Sequence, residues 1–325
     1  MTAVFVTREI PGPAITMLRA RGYEVDVYDG KTAPSPRALK KMLSKKPYEA
    51  IVSLLTDRID DSVLAVAPSV RIVANYAIGY DNIDLDAAGT RKVVVTNTPG
   101  DYAYTVAEHA LALMLALSTR LVEADAFVRS GRYRGWSPSS FIGTDIRGKT
   151  LGLVGMGRIG EHLARIARHG LGLSIIYYDV RRNERAEKEC GAQYVDTVDA
   201  LVSQADIVSL HVPLTPDTHH LIDARRLARM KPGALLINTS RGPVVDESAL
   251  VHALSSGALG GAGLDVFEHE PRLARGLSKL PNVVLTPHIA SARRSAREEM
   301  SKIVAENIIA VLEGRKPLNP VQPQS

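Results

Sequence analysis

Residues 150 to 182, TLGLVGMGRIGEHLARIARHGLGLSIIYYDVRR, decide the reading of this chain. An apolar run meets a glycine turn, an amphipathic stretch follows, and a second apolar run ends in an acid. That order predicts strand, turn, helix and strand, with Gly155, Gly157 and Gly160 spaced as GxGxxG. The first glycine makes the tight turn, the second admits a pyrophosphate to the backbone, and the third lets helix pack on strand. Arg158 and Ile159 open the helix, whose unpaired N–H groups and dipole favour an anion. Asp179 follows at roughly the 20-residue spacing at which a carboxylate meets the adenosine ribose. A carboxylate there repels a 2′-phosphate, so NAD is expected. Arg181 and Arg182, just past the strand, keep NADP as the alternative.

Composition sets the frame. A chain of 325 residues exceeds one comfortable core, so two domains are expected. With 45% hydrophobic and 23% charged residues it reads as soluble and globular, and its longest apolar run, around Ala110 to Leu117, is too short to span a bilayer. The start, MTAVFVTREIPGP, reads as a strand and not as a signal peptide. One cysteine, Cys190, excludes a disulfide framework and suits a cytoplasmic setting. The net charge of +5 comes from basic residues scattered among acids, with no aromatic-basic patch. Nucleic-acid and membrane partners are therefore not expected, nor is a metal site; a mild attraction for small anions is.

Outward from the glycine turn, strand-like and helix-like stretches alternate in both directions. Before it come AVFVT, PAITMLRARG, YEVDVY, PRALKKMLSKK, EAIVSL, DDSVLAVA and VRIVAN. This alternation argues for a parallel sheet covered by helices, here without GxGxxG and so serving something other than a dinucleotide. The turn at Ile78 and Gly79 can face its N–H groups toward a substrate carboxylate, although a plain strand-to-helix turn reads equally well. Residues 101 to 120 form a long apolar helix whose His109 reads as a packing histidine. Residues 121 to 149 form an extended arm with the only tryptophan, Trp136, suited to packing on another subunit. Beyond the glycine turn, three strands end at Val212-Pro213, Thr239-Ser240-Arg241 and Pro287-His288. In open parallel sheets ligands bind at such ends. The last helix is expected to return to the first domain, and the tail NPVQPQS reads as loose.

Three strand-end residues have complementary chemistry. His288 can donate a proton near neutral pH, and a carboxylate such as Glu270 on its second nitrogen would fix the tautomer and favour the imidazolium. Arg241 offers a fixed, two-pronged donor to a carboxylate or carbonyl oxygen. Taken singly, each has an ordinary alternative as a salt bridge, a surface acid or a packing histidine.

Here the chain resembles, from end to end, the D-isomer-specific 2-hydroxyacid dehydrogenase family. The resemblance rests on ANYAIGYDNID (74 to 84), NTPG (97 to 100), VAEHALALML (106 to 115), GKTLGLVGMGRIG (148 to 160), HVPLTPDTHHLI (211 to 222), MKPGALLINTSRGPVVDESAL (230 to 250), GAGLDVFEHEP (261 to 271) and TPHIASA (286 to 292). It implies an α/β fold of two doubly wound parallel-sheet domains. A flavodoxin-like substrate domain of residues 1–100 and 289–325 would flank a Rossmann NAD-binding domain of 101–288 carrying a dimerisation arm at about 121–149. It further implies Arg241, Glu270 and His288 as the catalytic trio, with Asp265, Thr239, Ser240, Thr218 and the Val212-Pro213 turn lining the cofactor.

Within the family the chain is most similar to glyoxylate and hydroxypyruvate reductases, through VFVTREIPGPAITML, VSLLTDRIDDSVL and the arm segments FVRSGRY and SSFIGTD. That branch implies a substrate carboxylate on the Ile78 and Gly79 backbone, Leu54 and Ser291 at the pocket wall, and a homodimer in which Trp136 reaches the neighbouring subunit's active site, although a purely structural tryptophan reads equally well. Arg293 and Arg294 depart from the small polar and acidic residues common after the histidine motif. The expected reaction is hydride transfer from NADH to C2 of a small 2-oxo acid in the cleft between domains, with His288 as proton donor. Its rivals are a D-lactate or D-3-phosphoglycerate type dehydrogenase and a NAD-sensing, corepressor-like binding protein.

Overall fold

The computed structural model describes residues 2–100 and 102–321. The chain divides into two compact units: residues 1–101 with 292–325, and residues 102–291.

In the first unit, strands β1 (Ala3–Val6), β2 (Glu24–Val27), β3 (Tyr48–Ser53), β4 (Ile72–Asn75) and β5 (Val94–Thr96) line up as β5-β4-β3-β1-β2, all parallel. This is the flavodoxin-like order, whose switch point lies between β1 and β3. Strand β1 and the stretches Ala50–Val52 of β3 and Ile72–Ala74 of β4 read as runs of Val, Ile, Ala and Phe because both faces are covered. One face buries Phe5, Leu39, Leu43, Ile51, Leu64 and Val73. The helix Arg294–Leu312 returns to pack on β3, β4 and β5, burying Val304, Ile308 and Ile309.

In the second unit, β6 (Thr150–Val154), β7 (Ser174–Tyr178), β8 (Gln193–Tyr194), β9 (Ile207–Leu210), β10 (Leu235–Asn238), β11 (Gly261–Leu264) and β12 (Val283–Leu285) form one parallel sheet. Their order, β12-β11-β10-β9-β6-β7-β8, is the Rossmann order with a seventh strand, and its switch point lies between β6 and β9. Separate cores fill the two faces. Leu113, Met114, Leu163 and Tyr177 lie on one, and Leu201, Leu210, Leu236, Leu250 and Leu264 on the other. Cys190 is buried in the first of these, and burial pushes its thiol pKa up, as a packing role requires.

Two expectations are corrected. The tail is not wholly loose: β13 (Pro320–Val321) pairs antiparallel with Thr96 and Val95 of β5. Asn307, fully buried on the last helix, fixes this strand by accepting the Leu318 and Asn319 N–H groups and donating to the Asn319 side chain. Residues 322–325 of the quoted tail lie outside the described residues. The arm, for its part, is not extended throughout. It opens as a helix, Leu121–Arg129, with none of its residues buried, and only then runs irregularly to Lys149.

Candidate active site

The carboxyl edge of the second sheet gathers most of the residues singled out from the sequence. Gly155 follows β6 at φ +97°, a conformation that favours glycine, and a β-carbon there would sit 2.9 Å from the His211 carbonyl after β9. The two sides of the switch point therefore touch at Gly155. A β-carbon on Gly160 would lie 2.3 Å from the Gly155 carbonyl oxygen, so the helix Arg158–Leu171 packs on the turn itself. Gly157 faces open space.

Most helices here start under a side-chain cap, as at Asn183, Thr197, Asp223 and Asp246. The helix behind Gly157 has none. Asp179 closes β7 and turns back to this loop, its carboxylate accepting from Met156 N–H at 2.7 Å and Arg181 N–H at 3.2 Å. The Arg182 guanidinium is engaged by Glu187 and lies over the Tyr194 ring.

The neighbouring strand ends are held by their own side chains. His211 follows β9, and burial lowers its pKa to about 4, so the ring is neutral beside Ser209 Oγ at 2.9 Å. Thr218 locks the Val212-Pro213 turn by donating to the Pro213 carbonyl and accepting from Thr215 N–H. After β10, the Asn238 side chain accepts from both the N–H and the hydroxyl of Ser240 and donates to the Arg241 carbonyl. The Thr239 hydroxyl is buried and has no partner among the described residues. An uncapped helix start, the open space at Gly157, an acid at the end of β7 and this orphaned hydroxyl fit a dinucleotide along the edge.

Beyond β11 and β12 lies the pair with reactive character. His288 Nδ1 is 3.0 Å from Glu270 Oε2, and the other Glu270 oxygen accepts from Phe267 N–H at 3.1 Å. Both side chains are partly exposed, so the other imidazole nitrogen can meet a ligand. His288 sits at φ +55°, unusual for a residue with a side chain. Its conformation is held by Asp265, at 0% exposure. The Asp265 carbonyl accepts His288 N–H, and its carboxylate accepts Thr286 Oγ1, Ile289 N–H and Ala290 N–H at 2.6 to 2.8 Å. Burial raises the pKa of this carboxyl, but hydrogen bonds from His109, Thr286, Ile289 and Ala290 outweigh it and leave the pKa below the ordinary range.

Arg241 stands at the end of β10, beside β11 in the sheet. Gly242 brings its turn against the segment carrying Glu270, since a β-carbon there would be 1.9 Å from the Phe267 carbonyl. That segment is also pinned by Glu268, which binds His220 Nε2 at 2.7 Å and accepts Glu247 N–H.

The remaining candidates are distributed between the units. Leu54, Ile78 and Gly79 belong to the first, at the carboxyl ends of β3 and β4. Ser291 and Trp136 belong to the second, and Trp136 is 82% exposed on the arm. Sequence reasoning did not single out Asn238, Glu268, His220 or Thr286. Asn238 lies inside a quoted motif, directly before Thr239, and its polarity at the end of an apolar strand is the available signal; Glu268, in the polar run before Glu270, carries no such mark. His109 was read as a packing histidine; its Nε2 lies 3.0 Å from Thr286 Oγ1.

Sequence comparison agrees with this geometry. Residues 111–290 match the family model described as D-isomer specific 2-hydroxyacid dehydrogenase, NAD binding domain. The chain belongs to that family. It is an NAD(P)-dependent oxidoreductase acting on the CH–OH group of small hydroxy acids.

Among relatives, it is 50% identical to a glyoxylate reductase of Thermococcus litoralis, over 97% of this chain and 95% of that one. It is 48% identical to the glyoxylate reductase of Pyrococcus horikoshii, over 97% and 94%. Among solved structures, the TT0316 protein of Thermus thermophilus superposes with a TM-score of 0.91 at 43% identity, covering 98% of this chain and all of that one.

Proposed function

We propose that the chain reduces glyoxylate to its achiral 2-hydroxy acid, glycolate, and hydroxypyruvate, as a second substrate, to the D-2-hydroxy acid in the cytoplasm, with NADH as the preferred reductant. The observation that carries this reading is the His288–Glu270 pair, set at the same sheet edge as a dinucleotide crevice, in a chain about half identical to glyoxylate reductases over nearly its whole length.

Gly155, Gly157, Gly160, Arg158 and Ile159 would hold the pyrophosphate, and Asp179 the adenosine ribose. Val212, Pro213, Thr218, Thr239, Ser240 and Asp265 would line the rest. The reduced nicotinamide, when bound, supplies a hydride to C2 of the oxo acid. His288 gives its Nε2 proton to the carbonyl oxygen, and Glu270 balances the imidazolium through Nδ1. Arg241 polarises that oxygen and orients the carboxylate, with the Ile78 and Gly79 N–H groups as further donors. Leu54 and Ser291 would limit substrate size.

We assign the arm to a homodimer. Leu121, Val122, Val128, Tyr133, Trp136 and Ile142 are exposed there, a set of large apolar groups suited to a second copy. Oxidation of NADH and of NADPH should be followed with glyoxylate, hydroxypyruvate, pyruvate and phenylpyruvate. Turnover highest with the first two and NADH is the expected result. Preference for pyruvate would favour a lactate-type enzyme, and no turnover a binding protein.

A further inference from the structure

The first unit contains a buried amide cluster that the reaction scheme above does not use. Asn75, fully buried at the end of β4, satisfies all its side-chain hydrogen-bonding capacity. Its Nδ2 donates to the Gly79 carbonyl at 2.8 Å and to Asn82 Oδ1 at 3.1 Å, while its Oδ1 accepts from Ser53 Oγ at 2.9 Å and from Asn82 Nδ2 at 3.3 Å. Asn82 Nδ2 also lies 3.1 Å from the Leu54 carbonyl and 3.0 Å from the Asp57 carbonyl. From the end of β5, Asn97 Nδ2 donates to the Ile78 carbonyl at 2.7 Å.

The carbonyls of both Ile78 and Gly79 are thus tied back by side-chain amides. Their N–H groups, by contrast, have no acceptor among the described residues. A turn whose oxygens are fixed on one side and whose N–H groups are left without partners is preorganised for an anion. The same cluster holds Leu54 at the carboxyl end of β3, next to this sheet's switch point.

We infer that Asn75, Asn82 and Asn97 are positioning residues that set the Ile78–Gly79 turn for the substrate carboxylate and fix Leu54 beside it. This rests on the carboxylate role proposed above for that turn. Asn97, half-buried at the rim, controls the Ile78 side. Asn75 controls the Gly79 side and links it to β3.

Asn97→Ala and Asn75→Ser should be compared with wild type for glyoxylate KM and kcat, inhibition by oxalate, NADH affinity by fluorescence, and turnover of methyl glyoxylate. In each variant that keeps the wild-type circular dichroism spectrum, KM and the oxalate inhibition constant should rise together, by about tenfold for a weakened charge-assisted hydrogen bond. kcat should fall less than KM rises, NADH affinity should hold, and the preference for glyoxylate over its methyl ester should shrink. Folded Asn97→Ala protein with unchanged KM and inhibition would overturn the clamp, as would a loss confined to kcat or NADH affinity. Wild-type enzyme that turns over acid and ester equally well would instead remove the carboxylate role, and the clamp with it.

Discussion

Glu270 faces His288 with one carboxylate oxygen, 3.0 Å from Nδ1, and is itself held by Phe267 N–H on the other. The imidazole therefore presents Nε2 outward, the nitrogen a proton donor must use. Replacing His288 by Ala should lower kcat by about 100-fold or more, as loss of a general acid does, with NADH affinity little changed. Glu270→Gln keeps the shape but removes the charge that balances the imidazolium, and its kcat should fall by about tenfold or more. Steady-state kinetics paired with fluorescence titration checks both. Equal turnover by His288→Ala would end its role as acid.

The glycines of the turn should separate folding from binding. Gly160→Ala forces a β-carbon to within 2.3 Å of the Gly155 carbonyl, so its melting temperature should drop by several degrees, in line with overpacking of about 1–3 kcal/mol. Gly157→Ala meets nothing in the protein and should melt like wild type while binding NADH about tenfold or more weakly. Thermal melts alongside NADH titration would detect the split.

Asp265 should matter to stability and to rate together. Asp265→Ala leaves the Ile289 and Ala290 N–H groups without acceptors, at about 1–3 kcal/mol for the buried Ala290 N–H, and frees the left-handed His288 backbone to relax. Denaturant unfolding should show the loss, and kcat should fall with it. The folded pKa lies below the ordinary carboxyl range, so the stability this group supplies is full above its unfolded pKa and is lost as pH falls through the folded one.

His211 should give the protein a second acid sensitivity. Burial holds its pKa at about 4 against an ordinary 6.5, so folding is favoured by the neutral ring. The corresponding stability, about 3 kcal/mol, is complete above pH 6.5 and declines as pH falls from 6.5 toward 4. Unfolding measured across that window should slope downward toward acid in wild type and flatten in His211→Gln. Equal slopes would contradict a buried neutral ring.

Cofactor choice should turn on Asp179. Its carboxylate stands at the end of β7, and Arg182 beside it is already engaged by Glu187. Asp179→Ser removes the charge that repels a 2′-phosphate, so kcat/KM with NADPH relative to NADH should rise by about tenfold or more. An unchanged ratio would place the selectivity elsewhere.

Much of this was legible in the chain because its signals are local. The alternation of apolar strands with polar helices gives both parallel sheets, and GxGxxG with Asp179 places the nucleotide crevice, since strand period and turn sterics act over a few residues. What escaped depends on partners far apart in sequence. Pro320–Val321 is too short to read as a strand and forms because β5 offers an open edge more than 200 residues earlier. Thr286 and Ala290 take on a role only when the β12 turn meets Asp265 of the neighbouring strand. Asn75 and Asn82 sit inside a quoted motif, yet only the folded loop shows which backbone oxygens they hold.

The strand at Pro320–Val321 also sets an order of assembly. The unit of residues 102–291 is a continuous stretch and can close its sheet while synthesis is still under way. The sheet of β1 to β5 leaves the ribosome before that unit yet is completed after it, because the helix that covers it and the strand that seals β5 both lie beyond residue 291.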